Sequence, residues 1–130
     1  MYDEKRKHPR IQVDIVPVDL QQPADANLRE KRNGTVKGIS AGGIGIVMER
    51  PFAKDSLIRI SFSLGTGYEF NGMLGKIVRI EEGIKESIIG VQFINPEEEN
   101  ISRVEKYIEE KMNEKGKKKI ILHDGTVIFR

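Results

Sequence analysis

Hydrophobic and polar residues alternate in several short runs along this chain. Ile11, Val13 and Ile15, then Val18 and Leu20 beyond Pro17, fall at every second position, the period of a strand with one face buried. Ile44, Ile46 and Met48 repeat the pattern, as do Ile58, Ile60 and Phe62 and the residues of 88–94. Residues 68–80 give a longer strand pattern in which Gly72 and Gly75 are the expected bend points. A more polar strand is expected over 28–36, interrupted at Asn33-Gly34 by a bulge or a tight turn. Residues 21–27, with Pro23, read as loop.

The period changes once. Ile101, Val104, Ile108 and Met112 recur at the spacing of a single helical stripe. Asn95 is the expected N-cap, Pro96 the first helical residue and Glu98 the return half of a capping box. Gly116 is the expected stop. Several short strands, 13 glycines and one helix predict a mainly β fold, a barrel or sandwich, plugged by the apolar stripe of the helix. Further on, Asp124-Gly125 lies between Ile120-Ile121-Leu122 and Thr126-Val127-Ile128-Phe129, a strong hairpin signal. A lone hairpin is marginal in water, so 120–129 is expected either to extend the barrel or to pair with a second copy as a homodimer.

With 130 residues, 38% hydrophobic and 32% charged, the chain suits one soluble domain with a core of its own. It has no cysteine, which excludes a disulfide framework or a thiolate metal site. The first residues are not followed by an apolar run, and the roughly 18 consecutive apolar residues of a membrane span occur nowhere. A cytoplasmic location is therefore the default expectation. The net charge of +2 is unevenly spread: Lys5, Arg6, Lys7 and Arg10 outnumber Asp3 and Glu4, and Arg29, Lys31, Arg32 and Lys37 surround Glu30. Such runs are commonly solvated surface, but a local basic patch also suits anion capture.

Two segments carry candidate binding chemistry. The first is Arg6-Lys7-His8-Pro9-Arg10, where Pro9 disfavours helix at His8 and keeps the arm extended. Arg6 and Arg10 then lie within about 14 Å of each other. A guanidinium fork can hold a phosphate, read the O6 and N7 edge of guanine, or stack on a base. In the second, a strand enters Gly38-Ile39-Ser40-Ala41-Gly42-Gly43 and another leaves it. Glycine lets a backbone expose its N–H groups and the serine hydroxyl adds a donor, a combination suited to a phosphate oxygen. Taken alone, the segment also reads as a tight turn between strands. No Gly-Lys-Ser or Gly-Lys-Thr follows, so it is not a Walker loop.

In this order the segments resemble the PilZ domain family. Arg6 and Arg10 match its R-x-x-x-R motif, and Ser40 and Gly43 match (D/N)-x-S-x-x-G, whose leading position is Gly38 here. The resemblance extends over roughly residues 4–112 and includes the run 40–46, Gly75-Lys76-Ile77-Val78-Arg79, Gly90-Val91-Gln92-Phe93 and the closing helix. It implies a six-stranded antiparallel β-barrel with one C-terminal helix. It also implies binding of the bacterial second messenger cyclic di-GMP, in a receptor or adaptor for signalling such as motility or biofilm regulation.

By that resemblance Arg6 and Arg10 clamp the nucleotide, Ser40 hydrogen-bonds a phosphate or guanine edge, and Gly43 allows close backbone approach. Lys5 and Lys7 add attraction without directed contacts, and His8 belongs to the same arm. The chain then divides into a flexible ligand-binding arm (1–10), the barrel plus helix (11–115), and a basic linker with the C-terminal hairpin (116–130). Gly38 departs from the motif: glycine offers no acceptor to a guanine N–H. A missing hydrogen bond costs about 1–3 kcal/mol, or roughly 10- to 100-fold in affinity.

The arm is expected to fold onto the barrel when the ligand bridges it to the Ser40 turn, so that an effector protein reads the changed surface. The alternative is a protein-interaction module on the same scaffold without the ligand, which Gly38 and the hairpin would both suit. Nucleic-acid binding fits poorly, since 6% aromatic residues and no Trp give few stacking platforms. No enzyme is expected. His8 and His123 are far apart in sequence, Glu81-Glu82 and Glu97-Glu98-Glu99 fall at a turn and a helix start, and no nucleophile–base pairing is evident. Neither a metal nor a cofactor is expected besides the ligand.

Overall fold

The computed structural model describes residues 10–12, 17–21, 31–113, 119–121 and 126–129. These form strands β1 (Arg10–Gln12), β2 (Pro17–Gln21), β3 (Lys31–Ser40), β4 (Gly43–Met48), β5 (Leu57–Ser63), β6 (Glu69–Glu82) and β7 (Ser87–Phe93). Helix α1 (Glu98–Met112) and strands β8 (Lys119–Ile121) and β9 (Thr126–Phe129) follow. The order β2-β5-β6-β7-β4-β3 returns from β3 to β2, with every neighbouring pair antiparallel. The result is a closed six-stranded barrel, in which each strand's backbone groups find partners on both sides. The far half of β3 also carries a branch: β1 pairs with it, β9 with β1, and β8 with β9.

Alternation sets the core. Ile58, Ile60 and Phe62 of β5 point inward between exposed Leu57 and Arg59 and half-buried Ser61. Ile39, Ile44, Ile46, Phe70, Ile77 and Ile89 are fully buried with them. From α1, Val104, Tyr107 and Ile108 enter the same core, and Ile101 and Met112 pack at its margin. The Tyr107 ring meets Tyr68 edge-on at 5.3 Å. Arg103 lies over Phe70, 4.5 Å from the ring centre, and donates to the Glu69 carbonyl at 2.8 Å. The helix is thereby tied to the start of β6 as well as to the core.

Two local expectations are corrected. Strand β3 runs unbroken through Asn33-Gly34, with Gly34 opposite Val18. Its glycine answers a close approach rather than a turn, because a Cβ there would stand 2.6 Å from the Val47 carbonyl oxygen. The bulge falls instead at Lys37, between the pairs Val36–Ile46 and Gly38–Gly45. At the helix start, Asn95 is not the cap: it takes a left-handed φ of 43°, which Asn tolerates better than most residues. The reversal is forced by the preceding residue, whose N–H (Ile94) is still bonded to Leu74 of β6 at 2.9 Å. Residues 95–97 therefore make the turn, and extended Glu97 caps a helix beginning at Glu98 without a side-chain capping bond. Glu98 and Glu99 favour that end through the helix dipole. The helix also does not run on to Gly116: it ends at Met112 with Asn113 as its C-cap, and Gly116 itself lies outside the described residues.

In β6, Gly72 does bend the strand, with φ 63° and its N–H bonded to the Ser61 hydroxyl at 2.8 Å. Gly75 acts differently, leaving room for Val91 of β7. No helix among the described residues is long and apolar enough to cross a membrane.

Candidate functional site

The turn from β3 to β4 consists of Ala41 and Gly42, with Ser40 opposite Gly43. Inward-facing Ile39 puts Ser40 on the outer side of the sheet, where it is only 7% exposed. Its hydroxyl donates to the Gly43 carbonyl at 3.4 Å, a long and weak bond for an O–H donor. That donor is cheap to redirect toward a better acceptor. Neither Gly42 nor Gly43 takes a positive φ. Gly43 is instead required by β7, because a Cβ there would stand 2.2 Å from the Val91 carbonyl oxygen. The turn is held to the same strand by the Phe93 N–H, which donates to the Gly42 carbonyl at 3.0 Å.

Strand β1 lies alongside this turn. Ile11 pairs with Ile39 and Gln12 with Gly38, so one further step in the same register sets Arg10 opposite Ser40. The backbone of Arg10 is described, but its side chain is not. Lys5, Arg6, Lys7 and His8 lie outside the described residues.

The register also assembles a feature that no single segment contains. Gln12 is opposite Gly38, Gly38 opposite Gly45, Gly45 opposite Gly90, and Gly90 opposite Arg79. Each of these glycines alternates with core residues such as Ile39, Ile44, Ile46, Ile89 and Val91, so the row lies on the outer side of the sheet, although all three glycines are themselves buried by their surroundings. Three adjacent strands thus present no side chain along one line. At its end the Arg79 guanidinium lies over Gly90, with its carbon 3.6 Å from where a Gly90 Cβ would be. Arg79 is half exposed and pairs loosely with Glu81 at 3.7 Å. The Lys37 Cβ, at the bulge, stands 3.9 Å from the corresponding point on Gly45. The Arg79 side chain therefore covers one end of this line of glycines, and Lys37 flanks its middle.

Residues 4–110 match the family model for the PilZ domain. The chain belongs to the PilZ domain family. Solved structures agree on the fold. The complex of YcgR from Escherichia coli with c-di-GMP is 17% identical with a TM-score of 0.67, covering 83% of this chain and 46% of that one. The Bacillus subtilis inhibitor of motility, MotI/DgrA, is 17% identical with a TM-score of 0.69, over 87% of this chain and 54% of that one. The MrkH–c-di-GMP complex from K. pneumonia is 18% identical with a TM-score of 0.68, over 85% and 52%. This chain thus spans about half the length of each of these three. No curated protein matches it significantly.

Of the residues singled out from the PilZ motifs, the structure brings Gly38, Ser40, Gly43 and the backbone of Arg10 to one corner of the barrel. Sequence reasoning missed Arg79 as a member of this surface. It stands 39 residues beyond Ser40 in the numbering, and only the register across β3, β4, β7 and β6 brings it to the same outer row. A cleft of about 430 Å³ opens elsewhere, lined by Lys31, Arg32, Glu49, Arg50 and Glu86 among others, and includes none of residues 38–43. Its charges are mixed, and Arg32 is already committed to the Arg50 and Pro51 carbonyls at 2.9 Å. Among the described residues no cluster of His, Asp or Glu is placed to hold a metal ion.

Proposed function

We propose that this PilZ domain is a receptor for cyclic di-GMP, bound on the outer face where β1, β3 and β4 meet. The observation that carries the reading is the register Ile11–Ile39 and Gln12–Gly38, whose continuation brings Arg10 to the Ser40 end of β3 beside the row Gly38, Gly45, Gly90. A guanine base needs a flat seat, a guanidinium fork for its O6 and N7 edge, and donors for the neighbouring phosphate. Gly45 and Gly90 offer a seat bare of their own side chains beside the half-exposed Arg79, Arg10 the fork, and Ser40 a hydroxyl that is only weakly engaged. Arg6, four residues before Arg10, supplies a second fork, while Lys5 and Lys7 raise the local positive potential and His8 lies in the same arm. The c-di-GMP complexes of YcgR and MrkH support this ligand.

In this reading, the segment carrying Arg6 closes over the ligand and changes the surface that an effector protein reads. The motility role named for MotI/DgrA points to regulation of bacterial movement as one output. Gly38 sets the affinity, because it provides no acceptor for a guanine N–H.

Calorimetric titration with cyclic di-GMP tests the assignment. Arg10→Ala loses charge-assisted hydrogen bonds of about 1.5–3 kcal/mol, so its affinity falls roughly 10- to 100-fold. Gly38→Asp tightens binding. Equal heats for the wild type and Arg10→Ala refute the site. Absence of any heat in the wild type favours the ligand-free interaction module.

A further inference from the structure

The strand that carries Arg10 is three residues long, and on one side it is held by only two registered pairs to β3. Its other side is occupied by β9, which runs parallel to it with Arg10 opposite Thr126 and Ile11 opposite Val127. Strand β9 is itself anchored: Val127 is 4% exposed and joins the main hydrophobic core, and Thr126 is 6% exposed. Strand β8 backs it through three antiparallel pairs. The backbone of Arg10 therefore lies between the Ser40 strand and the Thr126 strand. A three-residue strand at a sheet edge is weakly held by its own pairing, whereas one between two neighbours has both backbone edges engaged.

We propose that the C-terminal hairpin is the clasp that holds Arg10 in the nucleotide site, with Thr126 and Val127 as positioning residues for a ligand they need not touch. This rests on the cyclic di-GMP reading of the previous subsection and assigns that site a part from the opposite end of the chain. Burial of Val127 seats β9, β9 fixes β1 on β3, and β1 in that register brings Arg10 to the Ser40 end of β3. Binding that needs this register is linked to hairpin docking, and linkage is reciprocal: the bound ligand protects the hairpin as much as the hairpin favours the ligand.

The test uses the full chain with Val127→Asp, the milder Val127→Ala, and Val104→Ala in the helix plug as a control for lost core packing. Hydrogen exchange and calorimetry with cyclic di-GMP are measured on each. In the Val127 variants, exchange quickens at Ile11, Gln12 and 126–128 while β5 and β6 keep their protection. Their Kd rises roughly fivefold or more, while folded Val104→Ala stays near the wild-type value. In the wild type, ligand slows exchange at 126–128. Unchanged exchange at Ile11 and Gln12 when β9 is released overturns the clasp, and an unchanged Kd with β9 released overturns its role in binding. A wild type that binds no cyclic di-GMP refutes the nucleotide site and with it the positioning role, a result distinct from either failure of the clasp.

Discussion

The outer row of Gly38, Gly45 and Gly90 and the core formed by Val104, Tyr107, Ile108 and Phe70 are built on one barrel in opposite ways. Inside, large side chains pack on one another, with Phe62 and Phe70 stacked at 4.9 Å and Tyr107 edge-on to Tyr68. Outside, across β3, β4 and β7, the same strands carry no side chain at all along one line. The inward neighbours of those glycines, Ile39, Ile44, Ile89 and Val91, are among the most deeply buried residues. The barrel wall is thus packed with side chains on one face and bare of its own side chains along this line on the other, where neighbouring groups such as Arg79 cover the glycines. Loss of packing should lower stability wherever it occurs, whereas added bulk along the bare line should act on binding first.

The largest effect comes from emptying the core. Phe70→Ala removes the ring that stacks on Phe62 and underlies Arg103, at a cost of about 3–5 kcal/mol. Denaturant unfolding should show that loss, while the fraction that remains folded binds cyclic di-GMP as the wild type does. A folded Phe70→Ala with greatly weakened binding would break the separation between the two regions.

Two glycines on the outer side sharpen the comparison. Gly43→Ala forces a methyl against the Val91 carbonyl, where the separation would be 2.2 Å, so the backbone must shift at a cost of about 1–3 kcal/mol. Among the described residues Gly45→Ala meets nothing closer than 3.9 Å, an ordinary contact, and leaves stability nearly unchanged. It nevertheless puts a methyl in the middle of the row and should weaken cyclic di-GMP binding in calorimetry. Stability lost at Gly43 and affinity lost at Gly45 is the expected pattern. A destabilised Gly45→Ala, or one that binds normally, would remove the row from the site.

The two faces also differ in how far the amino-acid sequence discloses them. Period-two runs announce β4, β5 and β7, and the change of period announces α1, because burial imposes those periods on the residues themselves. Arg6, Arg10, Ser40 and Gly43 point to the family because their motifs are local. Gly34 misleads, because a glycine required by a neighbouring carbonyl looks the same in one strand as a glycine required by a turn. Tyr107 escapes an aliphatic stripe although it is buried with Val104 and Ile108. The glycine row, Arg79 and the seat of β9 on β1 depend on register between distant strands, and the spacing along one strand carries no trace of it.

The smallest effect tests how the plug is fastened. Glu110 of α1, first as a hydrogen-bonding acceptor for the Tyr68 phenol, then desolvation, then the negative charge of Glu110 hold that phenol above its ordinary pKa of about 10. A group whose pKa is raised by folding stabilises the fold while it stays protonated, and that contribution is lost as pH climbs through the raised value. Above that point the phenolate has no proton to donate and faces a like charge. Wild type should therefore melt slightly above Tyr68→Phe at neutral pH, and the gap should close as pH rises beyond about 10. Because the hydroxyl lies at the surface, added salt should weaken the charge repulsion between phenolate and carboxylate without restoring the bond. Melting curves that stay parallel from neutral to alkaline pH would mean that Tyr68 fastens the helix through its ring against Tyr107 alone.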